Sequence, residues 1–337
     1  MIIRQTLLNV LCIIGRGRVI NMNREISNRC GLTLAPVMVM VACLVGMFAP
    51  AHAQTPASQP GLPMWVVRDA DSTIYITGTV HILRDSAEWM SPKLNSALEA
   101  SSELRLELAE IADHASLIAG IRALLPEFGA YDGPPISSLL TSIENATLAS
   151  QLAAVSAPTD ALKDIDTHQP WFAAVLLGRD TFTGGAHKFA NGIDNVLARW
   201  AVARHVPVKG MESLRVQIAL SSRSTFDDQL AALRYKLKPS PVQQKMNERV
   251  VDAAFGAWLR GETNMTEAIV AFMRVGSAST GGTDALLKDR NEAWSGVIED
   301  LLEGSGTTFI AVGAAHLVGP DSLQTRLKLR GITAERY

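Results

Sequence analysis

From residue 64 onward, apolar and polar positions alternate between short β-rich runs and longer helical stretches. The runs MWVVRD and STIYITG flank Asp69-Ala70-Asp71, and β-branched runs around a polar turn predict a hairpin. In SPKLNSALEA, Ser91 stands as N-cap, Pro92 takes the first helical position, and Leu94, Ala97 and Leu98 share one face. ELRLEL then alternates with period two. As a strand it puts Glu103, Arg105 and Glu107 on one face and Leu104, Leu106 and Leu108 on the other.

Residues 110 to 180 read as helical through HASLIAGIRALL, ISSLLTSIENATLASQLAAV and PWFAAVLLG, with Leu139, Leu140, Ile143 and Leu148 expected as a core stripe. GIDNVLARWAVARH sets Ile193, Val196, Leu197 and Trp200 at helical spacing and leads into a strand, VPVKGME. Helices return over residues 225 to 275. TDALLKDRNEAWSGVIEDLLEG then reads as a long amphipathic helix carrying Leu286, Leu287, Trp294, Val297, Ile298, Leu301 and Leu302. The strand TTFIAVG follows, its FIAV run apolar enough for a central strand covered on both faces. A helix, DSLQTRLKLRG, stops at Gly331 before a last strand, ITAERY. The expected fold class is α/β (α+β): a mixed β-sheet flanked by helices, with a helical insertion in the middle of the chain.

Composition changes this picture little, but the amino terminus changes it considerably. With 337 residues, 47% hydrophobic, 19% charged and a net charge of -2, the chain is globular and shows no electrostatic footprint for nucleic acid. Residues 1–53 read as a signal peptide whose true start is Met22. Arg24 and Arg29 form a basic n-region, Leu32 to Phe48 an apolar h-region, and Ala51-His52-Ala53 a small-residue cleavage site. The apolar run falls short of the roughly 20 residues of a membrane span, so membrane attachment is expected only if this segment stays uncleaved. Residues 54–63 are a Pro/Ser/Gln-rich linker, and residues 64–337 the folded domain. Cys12, Cys30 and Cys43 all lie in the segment to be removed, so the exported protein would have no disulfide, cysteine nucleophile or thiolate ligand. The expected localisation is periplasmic or secreted.

Candidate chemistry lies in a recurring pattern. TIYITGTVHIL and TTFIAVGAAHLVG both run from a strand through glycine to His81 and His316. Strand ends are where α/β folds gather ligands, and imidazole serves as metal ligand or as acid and base. Each histidine could instead be a hydrogen-bonded core residue after a glycine turn. The recurrence makes the two readings even, and they are decided by whether the two strands end side by side. Glu107 would be a ligand or general base if its face meets a cleft, and part of a solvated ion-paired edge if not. Asp194 in NGID, Glu212 in KGMESLRVQ, and Arg290 and Asn291 in KDRNEAW are polar groups at element boundaries. Helix capping, a first-turn acid and a surface charge account for Asp194, Glu212 and Arg290 taken singly. No Gly-x-Ser-x-Gly elbow, His-Glu-x-x-His or phosphate-binding glycine loop occurs.

These residues resemble the TraB/PrgY/GumN family, related to the TIKI proteases. The resemblance runs over about residues 64 to 337 and rests on ITGTVHIL, LRLEL, NGIDNVLARWAVARHVPVKGMESLRVQ and the closing block from LLKDRNEAW to the end, which looks like the GumN-type branch. It implies a site of His81, His316 and Glu107 holding a divalent metal ion (Mn, Co or Zn), with Arg290 and Asn291 as further polar groups of the site, one or the other stabilising developing negative charge. Arg105 departs from the family pattern and would set a cation beside the metal. The resemblance implies a metal-dependent hydrolase, a peptidase first, acting on a peptide or small-molecule substrate. The alternatives are a non-catalytic envelope protein binding a peptide or polysaccharide partner, and a metal-independent esterase- or amidase-like hydrolase using one histidine as base.

Overall fold

A computed structural model describes residues 61–337 apart from 113, 155–159, 178–184, 239–240 and 278–281. The expected signal peptide with its cysteines, and residues 54–60 of the linker, lie outside the described residues.

The chain opens with the predicted hairpin. β1 (Met64–Arg68) pairs antiparallel with β2 (Ser72–Thr79), and Asp69 Oδ1 closes the turn by accepting from the Asp71 and Ser72 amides at 3.1 and 2.7 Å. α1 (Pro92–Glu99) starts as its sequence dictates, with Ser91 Oγ accepting from the Leu94 amide at 3.2 Å. β3 (Glu103–Leu106) follows.

The helical insertion comprises α2 (His114–Phe128), α3 (Ile136–Leu139), α4 (Ser142–Ala154), α5 (Ala161–Asp166) and α6 (Pro170–Leu176). The expected stripe does not form as one face. Leu140 turns extended at ψ 151°, and the Thr141 hydroxyl accepts from the Glu144 amide, restarting the helix. That break buries Leu140 and Leu148 but leaves Ile143 77% exposed.

Beyond the insertion run α7 (Ile193–Ala203), β4 (Val208–Gly210), α8 (Leu214–Ser221), α9 (Phe226–Leu237), α10 (Pro241–Leu259), α11 (Asn264–Ser277) and α12 (Gly282–Leu302). β5 (Gly306–Gly313), α13 (Leu323–Leu329) and β6 (Glu335–Arg336) complete the chain, and Gly331 takes the left-handed φ of 79° that ends α13.

Among the described residues the strands form one six-stranded mixed sheet in the order β4-β3-β5-β2-β1-β6. β5 is the central strand, parallel to both β2 and β3, and Phe309 to Val312 are at most 1% exposed. β3 and β4 are parallel, while β1 and β6 run antiparallel at the other edge. The α/β class with a mixed sheet and a mid-chain helical insertion is thus observed.

Among the described residues two apolar cores result. One packs Ile74, Ile76, Leu104, Leu106, Trp258, Trp294 and Ile298 around the sheet, and the other packs Leu125, Leu148, Phe172, Ile218 and Leu233 within the insertion, α8 and α9. Leu106 belongs to the first and Leu108 to the second, so Glu107 stands where the chain passes from sheet to insertion.

Trp258 fixes α10 to the sheet. Its Nε1 donates to the Gly78 carbonyl at 3.0 Å, and a Cβ on Gly78 would lie 2.1 Å from its Cζ2. Gly78→Ala is therefore expected to cost about 1–3 kcal/mol, because a fully buried indole must move. Urea denaturation measures this, and an unchanged midpoint would count against it.

Candidate functional site

A parallel sheet brings the carboxyl ends of its strands to one edge, and each of the four parallel strands here carries one polar side chain just beyond its end. β2 leads to His81, β5 to His316, β3 to Glu107 and β4 to Glu212. Thr79 pairs with Gly313, so the two Gly-x-x-His units end side by side, as the shared site requires. Gly313 is where they meet. A Cβ there would lie 2.8 Å from Glu107 Oε1, 3.7 Å from His316 Cδ2 and 3.8 Å from His81 Nε2. Glycine is required because that space belongs to the three side chains. The Gly313 amide donates to Glu107 Oε1 at 2.7 Å.

α12 closes the site from one side through Arg290. Its Nε and Nη2 hold both oxygens of Glu212 at 2.9 and 2.7 Å. Nη2 also donates to Glu107 Oε2 at 2.7 Å, and Nη1 to His316 Nε2 at 3.0 Å. The guanidinium lies 4.6 Å from the Trp294 ring centre, and the Trp294 and His316 rings are 4.3 Å apart. Burial pushes the Glu107 carboxyl up, but Arg290 and the two histidines more than offset this, holding it well below the usual carboxylate range. Burial dominates at Glu212 and raises it despite Arg290.

Hydrogen bonds set the tautomers of both histidines. Asn291 donates through Nδ2 to the carbonyls of His316 and Asp321 at 3.1 and 2.7 Å, so its Oδ1 faces His316 Nδ1 at 2.7 Å and must receive a proton from it. His316 thus carries its hydrogen on Nδ1 and accepts at Nε2. Burial, aided by Arg290, pushes its basicity down to about 3. At His81, Nδ1 donates to Asp194 Oδ2 at 2.9 Å. The His81 side chain is 27% exposed against 4% for His316, so His81 is the one that solvent or a substrate can reach.

All five residues expected from the sequence, His81, Glu107, Arg290, Asn291 and His316, meet at this one place. Three points of the expectation change. Asn291 cannot stabilise charge on a substrate, because it is 1% exposed and both its N–H groups are spent on backbone carbonyls. Arg105 is not the cation beside Glu107: β3 ends at Leu106, and Arg105 pairs with Glu103 at 2.6 Å. Third, the surrounding carboxylates Glu212 and Asp194 belong to the site although helix propensity accounts for each alone. Each stands two residues after a glycine at an element boundary, Gly192-Ile193-Asp194 and Gly210-Met211-Glu212, and that spacing was the available signal. Gln217 also approaches, with Nε2 3.5 Å from Glu107 Oε2.

The donor types at His81, Glu107 and His316 suit a divalent cation, but their arrangement does not. Arg290 lies between Glu107 and His316 and uses the Nε2 lone pair and a carboxylate oxygen. Among the described residues no three His, Cys, Asp or Glu side chains are arranged to hold a metal ion.

The fold and site together define an α/β protein whose polar centre is assembled from the ends of four parallel strands and braced by one largely buried arginine. The chain belongs to the TraB/PrgY/gumN family, which it matches over residues 63–336. It is also similar to an uncharacterized protein of Treponema pallidum (strain Nichols), 21% identical over 322 residues that span 90% of this chain and 93% of the relative. No solved structure matches it.

Proposed function

We propose that the protein is an exported hydrolase of carbonyl substrates, with peptide bonds as first candidate and ester or amide bonds next. The observation that carries this reading is His81, reachable from solvent, tied through Nδ1 to a buried carboxylate, with Nε2 beside Glu107 and Gly313. An imidazole so held can take a proton from water as it attacks a carbonyl carbon. The second Nη1–H of Arg290 is the donor left to a substrate oxygen, and Glu107 and Glu212 hold the guanidinium in place for it. Export rests on the basic, apolar and small-residue pattern of residues 22–53. Among the described residues no helix is long and apolar enough to cross a membrane.

A metal-dependent hydrolase is the second reading. It is favoured by the two carboxylates Glu107 and Glu212 around a single guanidinium, with Asp194 behind His81, and it requires Arg290 to withdraw from His316. Turnover of chromogenic peptide, ester and amide substrates, with and without a chelator, separates the two. Chelator-resistant turnover lost in His81→Gln is expected. Chelator-sensitive turnover, with metal in the wild type that is missing from His81→Ala and His316→Ala, would transfer the assignment to the metal reading. Absence of any turnover, with His81→Gln leaving biological activity intact, would point to a binding protein.

A further inference from the structure

Asp194 brings a carboxylate oxygen to the site that its contacts do not use. It is 3% exposed, its Oδ2 accepts from His81, and its Oδ1 is buried with no hydrogen-bond partner. A buried carboxylate with an unused oxygen is costly, and a residue kept only for packing would be apolar or amide. Its placement is also over-determined. The Ile193 amide donates to the Val80 carbonyl at 3.0 Å, Leu83 and Lys188 exchange backbone hydrogen bonds at 3.2 and 2.9 Å, and Asn191 Nδ2 donates to the Leu83 carbonyl at 3.4 Å. Gly192 approaches so closely that a Cβ on it would lie 2.4 Å from the His81 carbonyl oxygen. Residues 188–194 are thus clamped along residues 80–83, and Asp194 cannot drift from the imidazole.

We propose that Asp194 is a positioning residue whose carboxylate holds His81 in the tautomer with hydrogen on Nδ1 and the lone pair on Nε2, facing Glu107 and Gly313. The inference rests on the reading of His81 as the base.

The comparison with His316 shows why aspartate is needed. Asn291 sets the same tautomer at His316 with a neutral amide, but only because two backbone carbonyls lock its Nδ2 on the far side. Position 194 has no such lock, since nothing pairs with Oδ1. A carboxylate needs none, because both of its oxygens only accept. An amide there would satisfy its N–H by turning it toward His81 Nδ1, driving the imidazole hydrogen to Nε2 and removing the lone pair from the site.

The test is ¹⁵N NMR of histidine-labelled full-length protein at about pH 8, where an ordinary imidazole is neutral. The His81 signals are assigned by their loss in His81→Gln. In the wild type, His81 is expected almost wholly in the Nδ1–H form. Asp194→Asn is expected to invert it to the Nε2–H form, and Asp194→Ala to leave a mixture. A wild-type His81 in the Nε2–H form overturns the proposal, and so does a tautomer unmoved in both folded variants. A shift in Asp194→Ala alone supports it, with asparagine then holding the contact through its own oxygen. If neither variant folds, the wild-type tautomer decides alone. Absence of hydrolase activity beside an Asp194-dependent tautomer would remove the proposed function and leave this inference standing.

Discussion

Arg290→Met is expected to destabilise the protein by about 3–5 kcal/mol, the cost of breaking a buried ion pair by removing one partner. Methionine fills much the same volume, so little of the loss would come from a cavity. What it cannot do is compensate Glu107 and Glu212, whose side chains are 13% and 5% exposed and which share the one guanidinium. Equilibrium urea denaturation measures the change, and a loss under about 1 kcal/mol, the scale of a surface pair, would show that the site is solvated. The pH dependence adds a sign. In the wild type the folded-state pKa of Glu107 is depressed. Its contribution to stability is therefore present above its ordinary value of 4.5 and lost as the pH falls through the folded value. Glu212 is shifted the other way, so its term favours folding at low pH and is lost as the pH rises through its raised value. Without the guanidinium both carboxyls lose the charge that most offsets their burial. The deficit of Arg290→Met should then shrink on acidification toward pH 4.5, where both can be neutral.

The second large effect concerns catalysis. His81→Gln is expected to lower kcat/KM by about 10²–10⁴, the usual contribution of a positioned general base. The fold should survive, because the His81 side chain is 27% exposed and glutamine can still donate to Asp194. His316→Ala should show the opposite balance. It removes a buried ring packed at a tilt against Trp294 and leaves Asn291 Oδ1 and an Arg290 N–H without partners, which costs about 2–5 kcal/mol. Parallel denaturation and turnover assays on both variants check this contrast. Equal stability losses would mean that the two histidines are not divided into an open and a buried one.

The readability of the site follows the range of the forces involved. Helix and strand signals act within a few residues, which is why Ser91, Pro92 and Gly331 mark their helix ends correctly and FIAV marks the central strand. The stripe through Ile143 failed for a reason of the same range. The Thr141 hydroxyl caps a new helix, and a cap resets the face that follows. Asp194 and Glu212 were ambiguous because an acid in a first turn is favourable whether or not it has a partner elsewhere.

By itself, the order of residues determined the elements, the α/β class, and the five residues His81, Glu107, Arg290, Asn291 and His316. The elements, His81 and His316 follow from local periodicity, capping and a repeated strand-glycine-histidine grammar, whereas Glu107, Arg290 and Asn291 are singled out only by the resemblance to the TraB/PrgY/GumN family. Only the tertiary structure decided that β5 enters the sheet between β3 and β2, which sets the strand ends together. It alone placed Arg290 where a cation was expected, turned Asn291 inward onto His316, and brought Asp194 to His81. Those side-chain placements depend on contacts between residues from 25 to 183 positions apart, and on burial, which sets the charge state of each group. Neither has a local signature.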